Sequence, residues 1–443
     1  MNPSGDGSMD RRIASVYQQY FYNSNVMENR YRFECIDCGS SYPGNEVIYL
    51  CPACSASNRT DLPPRGVLKT VYSYPEIRKG RSPVVVLEKL REESYLPLLP
   101  LHDMNSWPAL RIGKTPLYRT GPHMGLTVKG VELFLKDDSQ NPTFSFKDRA
   151  SALVSAWAKE HGIHTLVAAS TGNAGSSLAG ICAAQRQEAF IIVPAAAPLA
   201  KLTQILMYGA TLVPVKGTYD DAFNLSVRVS ERYGFYNRNT AFNPLTIEGK
   251  KTVSFELLEQ LGRVPDRIFV PVGDGVIYSG VCRGFEDLLE LGIIDRMPIL
   301  VAVQSAGSAN LVSNLGPDSF RAIPSNTIAD SISVDVPRCF HMTAAFIRKY
   351  KGETVTVSDG EILEASGLLA RSSGLFAEPA AAAAYAGFRK EMSSGNLVDG
   401  SINVVLLTGS GLKDLAAVRP VIRMPEAVEP SLEAATPVIE SGL

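Results

Sequence analysis

Short apolar runs recur along the chain after residue 130 and alternate with segments of helical character. The strand-like runs include VELFLKD, IHTLVAAS, AFIIVPA, ATLVPVKG, RIFVPVG, ILVAVQS and INVVLLTG, and RASALVSAWAKEHG and AGSSLAGICAAQR are typical of helices. Continuously apolar strands are typical of a parallel sheet covered by helices on both faces. The pattern therefore predicts an α/β body built from βαβ units.

Three segments differ from this body in composition. Residues 1–29 are polar and rich in Asn and Tyr, which indicates an N-terminal arm, whereas residues 30–58 hold a cysteine cluster. Residues 59–83 contain PPRG and are typical of a connector. Residues 424–443 are rich in Pro and Glu, so we expect a loose C-terminal tail.

Length, charge and hydropathy narrow the class of protein. The chain has 443 residues, 45% of them hydrophobic, and a formal net charge of −2. No global basic field is present, so we expect a small-molecule partner, no nucleic acid and no membrane. The N-terminal residues lack the apolar core of a secretory signal, and no apolar stretch reaches the ~18 residues of a spanning helix. We therefore expect a cytoplasmic protein.

Four of the seven cysteines form two C-x-x-C pairs, which are separated by a 12-residue stretch. This spacing suits two tight turns that present four thiolates to one tetrahedral ion, and it predicts a structural Zn²⁺ site. The alternatives are a metal-free or iron-bound knuckle and a nucleic-acid-binding ribbon. The acidic balance of residues 30–58 disfavours the ribbon. The predicted ligands are Cys35, Cys38, Cys51 and Cys54.

Lys147 follows a strand-like run and begins a helical one, in the segment DDSQNPTFSFKDRAS. A lysine desolvated there can form a Schiff base with an aldehyde cofactor, although pairing with Asp148 at the surface is the simpler alternative. Two small-residue loops, S170-T-G-N173-A-G and V272-G-D-G-V-I-Y-S-G280, are typical of anion-binding turns at helix N-termini. The second loop does not match the dinucleotide fingerprint G-x-G-x-x-G.

Taken together, these segments resemble the threonine synthase family of fold-type II pyridoxal-phosphate enzymes. The similar segments are N141-P-T-F-S-F-K-D-R, S170-T-G-N-A, G273-D-G-V-I-Y-S-G, E378-P-A-A-A-A and L407-T-G-S-G-L-K-D414. The resemblance implies two doubly wound α/β lobes with the cofactor between them, a zinc knuckle ahead of them, and a homodimer. The large lobe would comprise residues 59–138 and 239–423, and the small lobe residues 139–238.

The resemblance also implies roles for individual residues. Lys147 would bind the cofactor aldehyde and later accept the substrate α-proton. Asn173 would hydrogen-bond the 3′-oxygen of the cofactor, and the Thr408 hydroxyl would lie beside its pyridine nitrogen. The substrate carboxylate would be held by Ser170, Thr171 and Ala174. The cofactor phosphate would be held by the backbone amides of Gly273, Asp274, Gly275, Val276 and Ile277.

The chain departs from the family pattern near the expected substrate. Phe144 replaces a glycine three residues before the lysine, and its ring is expected either near the substrate side chain or in the core. Thr246 stands where threonine synthases often carry a phosphate-binding arginine. Charge-assisted hydrogen bonds are preferred for phosphate, so other groups must hold it. The candidates are Lys201, Asn239, Thr240 and Arg238.

The leading functional hypothesis is threonine synthase, which converts O-phosphohomoserine and water into threonine and phosphate. Its rival is a cysteate synthase type of β-replacement, in which sulfite displaces the phosphate of O-phosphoserine. Phe144 and the missing arginine favour the rival, and a threonine or serine dehydratase is third. A non-catalytic zinc-ribbon scaffold is disfavoured because the lysine, Asn173 and the glycine loop are all retained.

Overall fold

A computed structural model describes residues 30–126, 128–197, 199–316 and 319–440, without the side chains of residues 199–201. The predicted N-terminal arm, residues 1–29, lies outside the described residues. The strands are β1 Tyr31–Cys35, β2 Ser41–Pro43, β3 Leu68–Tyr72, β4 Leu117–Arg119, β5 Glu132–Asp137, β6 Thr165–Ala169, β7 Glu188–Pro194, β8 Thr211–Val215, β9 Tyr236–Asn237, β10 Arg267–Pro271, β11 Ile299–Ser305, β12 Glu353–Val357 and β13 Ile402–Leu407.

The α-helices alternate with most of these strands, as the sequence pattern predicts. They are α1 Pro52–Ser55, α2 Tyr74–Arg78, α3 Pro83–Glu92, α4 Lys147–Glu160, α5 Asn173–Gln185, α6 Leu199–Met207, α7 Tyr219–Tyr233, α8 Leu245–Lys250, α9 Thr252–Leu261, α10 Val276–Glu290, α11 Asn310–Ser313, α12 Phe340–Lys349, α13 Asp359–Ser373, α14 Pro379–Ser393, α15 Leu415–Val418 and α16 Leu432–Glu440. No helix in the described ranges is long and apolar enough to cross a membrane.

The largest sheet has six strands in the order β12-β11-β10-β13-β5-β4. All neighbours are parallel except β4 and β5. Every residue of β10 and β13 is buried, because helices cover both faces of these central strands. The continuous apolar runs RIFVP and INVVLL are therefore what a central parallel strand requires.

A second sheet has four parallel strands in the order β8-β7-β6-β9. Its strands all lie between residues 139 and 238, whereas those of the six-stranded sheet lie in residues 59–138 and 239–423. The α/β class is thus confirmed, and the division into lobes at those boundaries remains a prediction. In the range expected as a loose tail, α16 forms a helix without buried residues.

The third sheet is antiparallel, has the order β2-β1-β3 and carries the first two cysteines beside β1. Its strand β3 pairs with the full length of β1, from Tyr31 opposite Tyr72 to Cys35 opposite Leu68. The segment 59–83 is therefore more than a connector, because it supplies a strand to the sheet of the cysteine cluster. The buried positions of β3 alternate with half-buried ones, as expected for a strand with one covered face.

Close packing of α4 on α8 positions the beginning of α4. A Cβ atom at Gly249 would collide with the main-chain oxygen of Arg149 and would lie 2.8 Å from Cα of Ala150. Glycine at position 249 is therefore required for the two helix backbones to touch. The small Ala150 side chain is fully buried in this contact.

Candidate active site

A cavity of about 550 Å³ is lined by residues of both parallel sheets and their loops. The turn between β6 and α5 and the turn between β10 and α10 both contribute, and each follows the carboxyl end of a strand. Ligands of open α/β sheets bind at this edge. The cavity brings together most of the predicted residues, namely Lys147, Ser170, Thr171, Asn173, Ala174, Asn239, Thr240, Gly273, Asp274, Gly275, Val276 and Ile277.

Lys147 is the first residue of α4, and its two chain neighbours fix its position. The Phe146 N–H donates to the carbonyl of Thr408 at 2.8 Å. The Asp148 carboxylate accepts hydrogen bonds from the N–H of Thr143 at 2.7 Å and from its hydroxyl at 2.5 Å. Asp148 is therefore occupied within its own turn, and Lys147 points into the cavity instead of pairing with it at the surface.

Burial lowers the pKa of Lys147, and the nearby Glu378 carboxylate acts in the opposite direction. A lowered pKa increases the fraction of the unprotonated amine, which is the nucleophilic form. The lowered pKa therefore favours the form of the Lys147 amine that can react with an aldehyde or accept a proton.

Arg149 anchors the same turn from the other side. Its guanidinium donates to Asp138 at 2.6 Å and to Glu256 at 2.6 Å, and all three side chains are buried or nearly so. Burial raises the pKa of Glu256, but Arg149 and Lys136 more than offset this and hold it at about 2. This ion network joins the beginning of α4 to α9 and to the turn after β5.

The loop from Gly273 to Ile277 connects β10 to α10 and exposes backbone N–H groups at the helix N-terminus. Gly275 has φ +89°, and a Cβ there would collide with the hydroxyl of Thr343. A Cβ at Gly273 would lie 2.9 Å from Cα of Ile332. Because both positions exclude a side chain, the loop can approach an anion through its amides. Burial raises the pKa of Asp274, whose Oδ1 accepts from the Arg338 N–H at 2.9 Å.

Asn173, the first residue of α5, donates through Nδ2 to both carboxylate oxygens of Glu378, at 2.8 and 3.0 Å. Glu378 is buried beside the first turn of α14, and burial raises its pKa. The sequence analysis quoted Glu378 within a motif but assigned it no role. A contact between residues so far apart in the chain has no local sequence signal.

Thr408 lies at the end of β13 and is 5% exposed. It does not line the cavity itself, but its carbonyl accepts a hydrogen bond from the residue before Lys147.

Phe144 is 50% exposed and has φ +67°, a left-handed conformation that glycine favours. This exposure counts against a place in the core, and its ring is not among the side chains that line the cavity. A place near the substrate side chain stays a prediction.

Some of the residues expected to bind the substrate phosphate already have hydrogen-bond partners within the protein. The Asn239 amide accepts from the Ala169 N–H at 2.8 Å and donates to Ser226 at 2.6 Å, so both of its polar atoms have protein partners. Thr240 accepts from Arg238 at 3.2 Å. Lys201 lies in α6, and its side chain is outside the described residues.

Two lysines near the site were missed by sequence reasoning. Lys250 is 1% exposed and lines the cavity. Lys413 lies in the quoted segment after β13, where its Nζ donates to Ser176 at 2.8 Å and to Gln204 at 2.6 Å. Lys413 thereby joins the end of the large sheet to α5 and α6.

The four cysteines of the N-terminal sheet converge, and their sulfur atoms all lie within 4.8 Å of one another. The Tyr42 hydroxyl lies 3.0 Å from the sulfur of Cys51. Four soft thiolate donors in one cluster suit a tetrahedral ion such as Zn²⁺ and leave no open position for a substrate.

A lysine at a helix start, a glycine loop facing it and a shared cavity define the site of a pyridoxal-phosphate enzyme. Residues 109–409 match the family model described as pyridoxal-phosphate dependent enzyme. The chain is 35% identical over 391 residues to a threonine synthase of Methanocaldococcus jannaschii, covering 86% of this chain and 92% of the relative. It is 33% identical over 414 residues to a threonine synthase of Methanosarcina acetivorans, covering 91% and 97%.

Solved structures share the fold at lower identity. The processed form of threonine deaminase isoform 2 from Solanum lycopersicum superposes with a TM-score of 0.60 at 22% identity, covering 71% of this chain and 89% of that one. Maize serine racemase superposes with a TM-score of 0.58 at 22% identity, covering 75% and 94%. The chain belongs to the pyridoxal-phosphate-dependent enzymes and, within them, to the threonine synthase family.

Proposed function

We propose that this enzyme is a threonine synthase, which converts O-phosphohomoserine and water into threonine and inorganic phosphate. The observation that carries the proposal is the identity of 35% to a threonine synthase over 92% of that relative's length. The site is consistent with it, because a half-buried lysine and an anion-binding loop face one cavity that is large enough for a cofactor and a small amino acid.

The residues present fit pyridoxal phosphate. The side-chain-free cradle at Gly273 and Gly275 suits its phosphate, and Lys147 faces the same cavity for its aldehyde. When bound, pyridoxal phosphate supplies an electron-withdrawing ring that stabilises negative charge on the substrate carbon next to the amino group. We assign Asn173, which lines the cavity, to the oxygen of that ring. The place of the Thr408 hydroxyl beside the ring nitrogen stays a prediction from the resemblance, since Thr408 does not line the cavity.

Lys147 is the base in this proposal. Its lowered pKa allows the Nζ atom to accept the substrate α-proton and later to return a proton to the carbon skeleton. The helix start and the Phe146 hydrogen bond hold the backbone of Lys147 in place, so its Nζ atom can move protons by side-chain motion alone. Ser170, Thr171 and Ala174, in the turn before and within α5, are assigned to the substrate carboxylate.

A second candidate is β-replacement on O-phosphoserine with sulfite, as in cysteate synthase. Thr246 favours it, because this fully buried side chain bonds the carbonyl of Asn243 at 2.7 Å and puts no guanidinium at that position. Phe144 adds no structural support to this preference, since its ring is not among the side chains that line the cavity. Dehydratase activity is the third alternative, and it would release ammonia and a keto acid.

Product analysis separates these reactions. The enzyme reconstituted with pyridoxal phosphate is incubated either with O-phosphohomoserine or with O-phosphoserine plus sulfite, and phosphate and amino acids are quantified. Threonine formed in equal amount to phosphate supports the proposal, and the Lys147→Ala variant controls for contaminating phosphatase. Cysteate from the second mixture, with no threonine from the first, would contradict it.

We also propose that Cys35, Cys38, Cys51 and Cys54 hold one structural Zn²⁺. The support is their convergence within 4.8 Å and their place in a small three-stranded sheet with a limited core of its own. Metal binding contributes folding free energy to such segments. Assembly as a homodimer and a cytoplasmic location remain predictions from the sequence.

A further inference from the structure

Two basic side chains of the cavity, Arg238 and Lys250, are buried without a carboxylate at salt-bridge distance among the described residues. Arg238 is fully buried, and its Nη2 has no hydrogen-bond partner in the described part of the chain. Its other nitrogens donate to the hydroxyls of Ser151 at 3.1 Å and Thr240 at 3.2 Å. Lys250 donates to the main-chain carbonyl of Thr246 at 2.9 Å. Within the described ranges, neither cation forms a salt bridge.

Unpaired buried charge is costly, so its retention calls for an explanation. Burial lowers the pKa of Arg238 to about 10 and that of Lys250 well below its ordinary value, and Arg238 and Lys147 lower the pKa of Lys250 further. Asp148 acts in the opposite direction on Arg238, and Asp274 does so on Lys250, but neither carboxylate forms a salt bridge with them in the described part of the chain. Asp274 is the half-buried carboxylate of the cavity lining, whereas the other acidic residues of the lining are exposed. These exposed residues are Asp220, Asp330 and Asp335. An anion entering the cavity would satisfy Arg238 and Lys250 together.

The position of Lys250 connects it with the missing arginine. Residues 246 and 250 are one turn apart on α8 and therefore lie on the same helix face. Long side chains in a helix lean toward its N-terminus, and the bond from Lys250 Nζ to the Thr246 carbonyl shows that lean here. The charge of Lys250 therefore lies on the helix face from which a side chain at position 246 projects.

We propose that Arg238 and Lys250 form the subsite that binds the phosphate group of the substrate, in place of an arginine at position 246. The ligand class is a phosphate monoester dianion carried by an amino acid. This inference rests on the proposed function for the identity of the substrate. The glycine loop from Gly273 to Ile277 serves the second phosphate, that of the cofactor, through backbone amides.

The test uses the enzyme reconstituted with pyridoxal phosphate and inorganic phosphate as the probe. Lys250→Gln and Arg238→Gln remove one charge each, and Lys250→Arg keeps the charge. Arg228→Gln, at an exposed position of α7 away from the cavity, is the matched control for net charge. The measurements are the shift of the thermal midpoint with phosphate, inhibition by phosphate, the KM for O-phosphohomoserine and cofactor affinity by absorbance titration.

Each glutamine variant is expected to weaken phosphate binding and raise KM by about tenfold or more, the usual effect of losing a charge-assisted hydrogen bond. The dissociation constant of the cofactor should change by less than about threefold in these variants. Lys250→Arg should retain the wild-type phosphate response, and Arg228→Gln should alter none of these quantities. If Lys250→Gln weakens phosphate binding and Lys250→Arg does not, the effect depends on the charge at position 250 and not on a structural role alone.

Two results would overturn the inference. One is wild-type phosphate affinity in both glutamine variants, and the other is a loss of cofactor affinity with phosphate binding unchanged, which would assign the cations to the cofactor. If Lys250→Gln does not fold, Arg238→Gln decides between the same outcomes. If the wild-type enzyme makes no threonine but phosphate still stabilises it through these cations, the proposed function fails and the anion subsite stands.

Discussion

Replacing Arg149 with methionine is expected to break the ion network that anchors the turn of Lys147. The methionine side chain fills a similar volume but carries no charge. Asp138 would still accept the hydrogen bond from the Thr115 hydroxyl at 2.6 Å, and Glu256 would still form its salt bridge with Lys136 at 2.7 Å. Each carboxylate would nevertheless lose its closest guanidinium contact while remaining buried.

The magnitude follows from the buried position of the network. Removing one partner of a buried ion pair costs about 3–5 kcal/mol, because the remaining charge is left without compensation. The pKa of Glu256 sets an upper bound of similar size, since its fall from 4.5 to about 2 is equivalent to about 3 kcal/mol and has both Arg149 and Lys136 as causes. A depressed folded-state pKa stabilises the protein above pH 4.5, and this contribution is lost as the pH falls toward 2. We expect Arg149→Met to lose about 3 kcal/mol of unfolding free energy at pH 7 and to show a weaker dependence on pH between 5 and 2.

Urea unfolding followed by circular dichroism measures both effects. The control is Arg119→Met, which breaks an exposed pair with Glu132 at 2.9 Å and should cost no more than about 1 kcal/mol. Because the network holds the beginning of α4, the variant that still folds should also bind pyridoxal phosphate less tightly. Equal stability of Arg149→Met and Arg119→Met would refute the reasoning, since it would mean that the buried network contributes nothing beyond a surface pair.

Three further predictions concern the cofactor and the metal. Gly275→Ala should weaken cofactor binding about tenfold or more, because the new Cβ atom collides with the Thr343 hydroxyl. The control is Gly262→Ala, which has the same left-handed backbone strain but open space around the new Cβ atom. This variant should bind the cofactor like the wild type in absorbance titrations. Lys147→Ala should abolish both the visible absorbance of the bound cofactor and turnover, and a variant that retains either one would exclude the lysine as the attachment point. Zinc analysis should find one ion per chain. The Cys51→Ser variant should lose the ion, and its thermal midpoint should fall by several degrees, about 1–3 °C per kcal/mol of stability lost. A metal-free wild-type protein with normal stability would contradict the zinc site.

Much of the architecture could be predicted from local patterns. The runs ILVAVQS and INVVLL are strands β11 and β13, and the turn before Lys147 does lead into a helix. Their continuous apolar character reflects burial on both faces, which a local window of sequence can reveal. The connector prediction for residues 59–83 was wrong in part, because the alternation of Leu68–Tyr72 is short and its partner β1 lies upstream in the chain.

The sequence by itself predicted the α/β class, the lysine that we propose as reactive, the glycine loop and the metal-type cysteine spacing, since each depends on residue types at fixed short intervals. Only the tertiary structure decided that Asn173 meets Glu378, that Arg149 meets Glu256, and that Arg238 and Lys250 face one cavity without a salt bridge among the described residues. These relations join residues from separate helices and loops. Their energies depend on burial and distance, which arise only when the sheets and helices pack together.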